Sequence, residues 1–131
     1  MDLNIIKKFE NILGPKGIIS NRLDLQPYLI EERGKFKGNA IVLLKPSSTK
    51  EISDIVKICS KEQIPIVPQG GRTGLCGGAV PSLKGDDILI SLEKLNNIRS
   101  IDTINSTLTA EAGCILSNIQ KKASDNNRFF P

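Results

Sequence analysis

The amino-acid sequence predicts an α+β fold, a small parallel βαβ subdomain followed by an antiparallel subdomain that is incomplete in this chain. Three observations carry that expectation. A short apolar run, a helix-spaced stretch and a second apolar run follow one another between residues 40 and 67, the pattern of two parallel strands joined by a crossover helix. The second run leads into a loop holding five glycines in nine positions, Gly70 to Gly78. Beyond that loop the apolar residues alternate in steps of two, as they do in half-buried strands.

The elements follow in order. Leu3, Ile5, Ile6, Phe9, Ile12 and Leu13 share one side of an amphipathic helix that Asp2 can cap and Gly14-Pro15 stops. Residues 15–38 are polar and irregular, ending in EERGKFKGN, so 1–37 are read as a helix and lead-in and 38–131 as the domain proper. Ala40 to Leu44 is a buried strand closed by Pro46. Ser48-Thr49-Lys50-Glu51 fits a capping box in which Glu51 reaches back to Ser48. Ile52, Ile55, Val56 and Cys59 then recur at helical spacing over residues 49–62. The second strand is placed at Ile64 to Val67.

After the glycines, Ile88, Ile90 and Leu92 alternate, and so do Leu108, Ala110 and Ala112 against Thr107, Thr109 and Glu111. Asn105-Ser106 lies between two such runs and reads as a hairpin turn. Residues 115–125 return to helical spacing, with Ile115, Leu116, Ile119 and Ala123 on one face. The chain then stops at Arg128-Phe129-Phe130-Pro131. A frayed polar tail is the usual ending, so an interrupted chain is expected.

Composition limits the function. A chain of 131 residues with 39% hydrophobic content suits one modest domain. No apolar run nears the ~20 residues that span a bilayer, and the amino terminus lacks the pattern of a secretory signal. A cytoplasmic protein is expected, with peripheral membrane association compatible. Cys59, Cys76 and Cys114 show no metal-site spacing and suit a reducing compartment. The chain has no histidine, which removes Ser-His and Cys-His pairs, histidine metal sites and imidazole bases. The formal charge is +4, but the lysines are scattered and only 4% of residues are aromatic. With no stacking platform, nucleic acid is not an expected partner.

The glycine loop PQGGRTGLCGGAVP is the candidate site. Glycine lets a ligand approach the backbone without a Cβ in the way, and consecutive N–H groups make a concave nest for an anion. A loop leaving the carboxyl end of a parallel strand is also where open α/β sheets bind ligands. The dinucleotide fingerprint is absent, because no two glycines are separated by a single residue. So is the P-loop, because no lysine lies between Gly70 and Leu83. Pro81 follows too soon for the loop to open a helix. The bland alternative is a ligand-free surface turn.

These residues resemble the pyrophosphate loop of the PCMH-type FAD-binding domain found in vanillyl-alcohol-oxidase-like flavoproteins. ERGKFKG, VLLKPSSTKEISDIVKIC, ISLEKLNNI and LTAEAGCIL resemble, more narrowly, the branch containing D-2-hydroxyglutarate dehydrogenase, D-lactate dehydrogenase and the glycolate oxidase FAD subunit. The likeness covers residues 31–131. It implies that Pro68, Gln69, Gly70, Gly71, Arg72, Thr73, Gly74, Leu75, Gly77 and Gly78 hold the FAD pyrophosphate. It also implies that Pro131 begins a further flavin-contacting stretch.

The sequence departs from the family pattern at two positions. Arg72 stands where Asn or Gly is frequent, and pairing with a phosphate is favoured over pointing to solvent. Cys76 stands where Ser or another small residue is frequent, and is read as packing, as are Cys59 and Cys114. Some relatives tether the flavin through histidine, so non-covalent FAD is expected here. The resemblance places substrate binding and the base in a later domain, and Glu111 is read as structural. The implied partners are a small 2-hydroxy acid and an electron acceptor of the quinone, cytochrome or electron-transfer flavoprotein class. Two other readings stand beside this one, another FAD oxidoreductase of the same fold (a sugar-nucleotide reductase or lactone oxidase) and a non-catalytic nucleotide- or phosphate-binding module.

Overall fold

A parallel strand needs apolar cover on both faces, and the order of elements supplies it. The computed structural model describes residues 3–131, so the expected cap Asp2 lies outside the described residues. Helix α1 (Leu3–Leu13) ends where Gly14 takes a left-handed φ of 67° and Pro15 opens a 3-10 turn. Strands β1 (Ile18–Ile19), β2 (Ala40–Leu44), β3 (Ile66–Gln69) and β4 (Asp87–Ser91) form one sheet in the order β1-β2-β4-β3. β4 runs parallel to both β2 and β3, and β1 is antiparallel to β2. On one face, Val42, Leu44, Ile88 and Ile90 pack with Ile5 and Phe9 of α1 and with Ile55 and Cys59 of helix α3 (Thr49–Lys61). On the other, Leu43 and Leu89 meet Leu25 and Leu29.

The parallel βαβ arrangement expected for residues 40–67 is therefore present, with one correction. Ile88 and Ile90 do not belong to the antiparallel part. β4 is buried along its whole length and inserts between the two predicted parallel strands. Leu89 fills the second face, and the chosen pattern of every other residue passed over it. The antiparallel part is a separate pair, β5 (Ile98–Asp102) with β6 (Thr107–Ala110). Its turn spans four residues, with Asn105 and Ser106 inside it. The Asp102 carboxylate accepts the Ile104 and Asn105 backbone N–H groups and so holds the turn closed.

Other boundaries shift for visible reasons. The α3 helix closes with Gln63 at a φ of 54° and Ile64 N–H bonded to Cys59 O at 2.8 Å. Ile64 therefore belongs to the helix end, Pro65 O already accepts Ile88 N–H of β4, and β3 starts two residues later than expected. Pro68 is tolerated inside β3 because β3 is an edge strand. The Ser48 hydroxyl caps α3 through Glu51 N–H, but the Glu51 carboxylate reaches back to Ser47, not to Ser48. The lead-in is more ordered than its sequence suggested. It contributes β1, a short helix α2 (Arg22–Leu25) capped by Asn21, and a following 3-10 turn over Gln26–Tyr28. Helix α4 (Leu116–Ser124) buries Ala123 but leaves Ile115 and Leu116 exposed.

The cysteines divide. Cys59 is buried in the core, and desolvation pushes its thiol up to about 11. Cys114 is half-buried and donates its S–H to Asn97 O. Cys76 is exposed on the loop, so it does no packing there.

Candidate functional site

The site starts at the carboxyl ends of the parallel strands. β2 delivers Lys45 just past Leu44, β3 delivers Gln69, and β4 delivers Ser91. Gln69 is 2% exposed. Its Nε2 donates to Tyr28 O at 2.8 Å and to Ala79 O at 2.7 Å. One amide thus ties the start of the glycine loop to its far end and to the lead-in. Its Oε1 is buried without a hydrogen-bond partner among the described residues, an uncommon state for a buried acceptor.

The lead-in forms the outer support of the loop. Glu31 is buried and accepts the Arg33 and Lys35 backbone N–H groups at 2.9 and 2.8 Å. Those bonds, led by the one from Arg33, hold its carboxyl below the usual range and shape a tight turn at 31–36. Arg33 donates from that turn to the Leu75 carbonyl. Phe36 lies against Gly77, where an added Cβ would sit 3.0 Å from the ring and where φ is already 79°. Gly77 is therefore glycine for the sake of the fold.

Gly71, Gly74 and Gly78 have no such reason. None has a left-handed φ, and a Cβ at Gly74 or Gly78 would meet nothing within 4 Å. At Gly71 the nearest atom is Thr73 Cγ2 at 4.0 Å. What glycine preserves at these three positions is open space beside the backbone. The N–H groups of residues 71–78 donate to no other described residue. Unspent donors beneath space cleared of Cβ atoms suit a phosphate-bearing ligand, and FAD carries two phosphates.

Arg72 completes the loop. It adopts a φ of 58°, a region where Asn and Gly are favoured. Its guanidinium lies over the Tyr28 ring, 4.4 Å from the centroid, and donates to Pro27 O. It has no carboxylate partner among the described residues. Lys45 also faces Tyr28, at 5.5 Å, but its charge is matched by Glu93 at 2.8 Å. That bond raises the Lys45 pKa and lowers that of Glu93.

Two clefts share Gly71 and Arg72. One, of about 260 Å³, is lined by Tyr28, Gln69, Gly70, Ser91, Glu93, Asn96, Gly113 and Ile115 as well. The other, of about 320 Å³, adds Pro27, Ile30, Glu32 and Thr73. Of the sequence-predicted residues, Gln69, Gly70, Gly71, Arg72 and Thr73 line these clefts. Pro68, Gly74, Leu75, Gly77, Gly78 and Pro131 do not. Sequence reasoning missed Tyr28, Ser91, Glu93 and Gly113 as cleft residues. Tyr28 carried one available signal, as the only tyrosine of the chain.

Glu111 lines neither cleft. It clamps the β5–β6 pair instead. Its carboxylate accepts Asn97 N–H at 2.9 Å and Arg99 Nη2 at 3.1 Å, and these bonds, the backbone one first, lower its pKa from an ordinary 4.5. A lowered carboxyl contributes stability that is present above its unfolded pKa and lost as pH falls through its folded one. Protection factors against hydrogen exchange in residues 98–110 are therefore expected to fall below about pH 4.5. Glu111→Gln should remove that acid dependence while speeding exchange at neutral pH.

Residues 40–131 match the family model described as FAD binding domain. The chain is 35% identical over 119 residues to D-2-hydroxyglutarate dehydrogenase, mitochondrial, of Arabidopsis thaliana, covering 91% of this chain and 21% of that protein. It is 30% identical over 128 residues to D-lactate dehydrogenase of Anaerostipes hadrus, covering 97% of this chain and 26% of that protein. Among solved structures, p-cresol methylhydroxylase superposes with a TM-score of 0.79 at 23% identity, over 95% of this chain and 24% of that one. The chain thus spans between a fifth and about a quarter of the length of these proteins. The PCMH-type fold expected from the sequence is the fold observed.

Proposed function

The chain belongs to the FAD binding domain family, and from that premise we propose that its glycine loop holds the pyrophosphate of FAD. The residues assigned to that task are Pro68 through Leu75 together with Gly77 and Gly78, with Pro131 at the start of a further flavin contact. Residues 38–131 are the cofactor-binding part on this reading and 1–37 its lead-in. The observation that carries the proposal is the set of glycines at 71, 74 and 78. Neither backbone conformation nor packing asks for glycine at any of them, whereas a ligand lying on the backbone would.

FAD when bound supplies a hydride acceptor. The residues of this chain bind and orient it through N–H donors and the Arg72 cation, while the buried Gln69 amide ties the loop in place. On this reading residues 1–131 hold the flavin non-covalently, having no histidine among them to tether it. The reaction is oxidation of a D-2-hydroxy acid of the D-2-hydroxyglutarate, D-lactate or glycolate class to the 2-oxo acid, supported by the names of the two relatives above. Electrons pass to a quinone, cytochrome or electron-transfer flavoprotein. No described helix is long and apolar enough to cross a membrane, and a cytoplasmic location is part of the proposal.

The intact protein decides between this and its rivals. Acid precipitation should release FAD into the supernatant, and an artificial acceptor should be reduced with one of D-2-hydroxyglutarate, D-lactate or glycolate. Flavin without turnover of any of the three would favour another oxidoreductase of the fold. A protein that retains no flavin would be a phosphate-binding module, and the proposal would be wrong.

A further inference from the structure

We infer that Tyr28 is a positioning residue of this site, setting the Arg72 guanidinium for an anionic ligand. The inference rests on the reading of the loop as an FAD site and extends it to a residue outside the 40–131 family match. Tyr28 is held from two directions. Its carbonyl accepts the buried Gln69 amide at 2.8 Å, and its neighbours Leu25 and Leu29 are buried against Leu43 and Leu89. The ring is therefore fixed relative to the first residue of the glycine loop. Arg72, three residues further along, lies on that ring.

The arrangement suits capture of a phosphate. A guanidinium stacked on an aromatic face keeps its N–H donors in plane and directed outward. One nitrogen is spent on Pro27 O, which leaves the others to fork an oxyanion. No described carboxylate neutralises Arg72, while the second cation at the ring, Lys45, is already paired with Glu93. Arginine carries more rotamer freedom than almost any other side chain, and ordering it only when the ligand arrives weakens binding. The Tyr28 ring does that ordering in advance.

A double-mutant cycle in the intact protein tests this, with FAD titrated into apo-protein. Tyr28→Leu should weaken binding about threefold to tenfold, the scale of a part-exposed cation–π contact. Tyr28→Phe keeps the ring and should bind as the wild type does. In an Arg72→Gln background, Tyr28→Leu should have no further effect on FAD affinity. Equal losses from Tyr28→Leu in both backgrounds would overturn the inference, because the tyrosine would then act without the arginine. A Tyr28→Phe variant as weak as Tyr28→Leu would also overturn it, by moving the effect to the hydroxyl. Thermal unfolding of the four proteins without ligand gives a second readout. A Tyr28–Arg72 coupling there supports the contact even if the wild type binds no FAD, in which case the site assignment fails and the contact stands. No coupling without ligand would contradict the contact itself.

Discussion

Replacing Gly71 or Gly74 by valine should abolish flavin retention and leave the protein folded. A side chain at either position enters empty space, and neither residue has a φ that an L-residue avoids. The fold therefore loses little, on the order of 0.5 kcal/mol, as for other exposed substitutions. The ligand loses much more, because a branched Cβ stands where a phosphate must approach the backbone. A weakening of about a hundredfold or more, about 3 kcal/mol, is expected. Gly77→Val is the contrasting case. It forces valine into the left-handed region and against the Phe36 ring, 3.0 Å away, so it should lower the unfolding midpoint whether or not flavin is present. Equal flavin loss from all three with equal destabilisation would mean that the loop glycines serve only the fold.

The second large effect falls on stability. Gly113→Ala should cost about 3–5 kcal/mol or prevent folding. Its Cβ would fall inside the Leu92 carbonyl oxygen and stand 2.8 Å from the Leu95 carbonyl oxygen. The N–H of Gly113 also donates to Leu95 O at 2.8 Å. Here the crowding is backbone against backbone, which cannot swing aside as a side chain can. Denaturant unfolding of the variant would show it, and an unchanged midpoint would mean the two segments do not sit this close.

Much of this was legible in the sequence because the signals were local. The apolar run at Ala40–Leu44, the Ser48 cap and the spacing of Ile55 and Cys59 each specify an element within a few residues. The glycine loop and its place after a strand were equally visible. What escaped was set by distance along the chain. Whether Ile88–Ile90 pairs in parallel with β2 depends on residues more than 40 positions away, and one-sided alternation hid the burial of Leu89. The lead-in read as irregular because its order comes from Leu25 and Leu29 packing under the sheet, not from any period of its own. Tyr28 became part of the site for the same reason. Gly71 and Gly77 look alike in the sequence, and only their surroundings separate a glycine beside open space from one crowded by Phe36.

The most direct measurement compares FAD with riboflavin, which has the same ring system but no phosphate. Affinities of both should be determined for the intact apo-protein and for its Gly74→Val variant. If the loop holds the pyrophosphate, the wild type prefers FAD strongly, and the variant loses that preference while its riboflavin affinity changes little. A preference for FAD that survives unchanged in Gly74→Val would place the phosphates elsewhere and contradict the assignment of the loop.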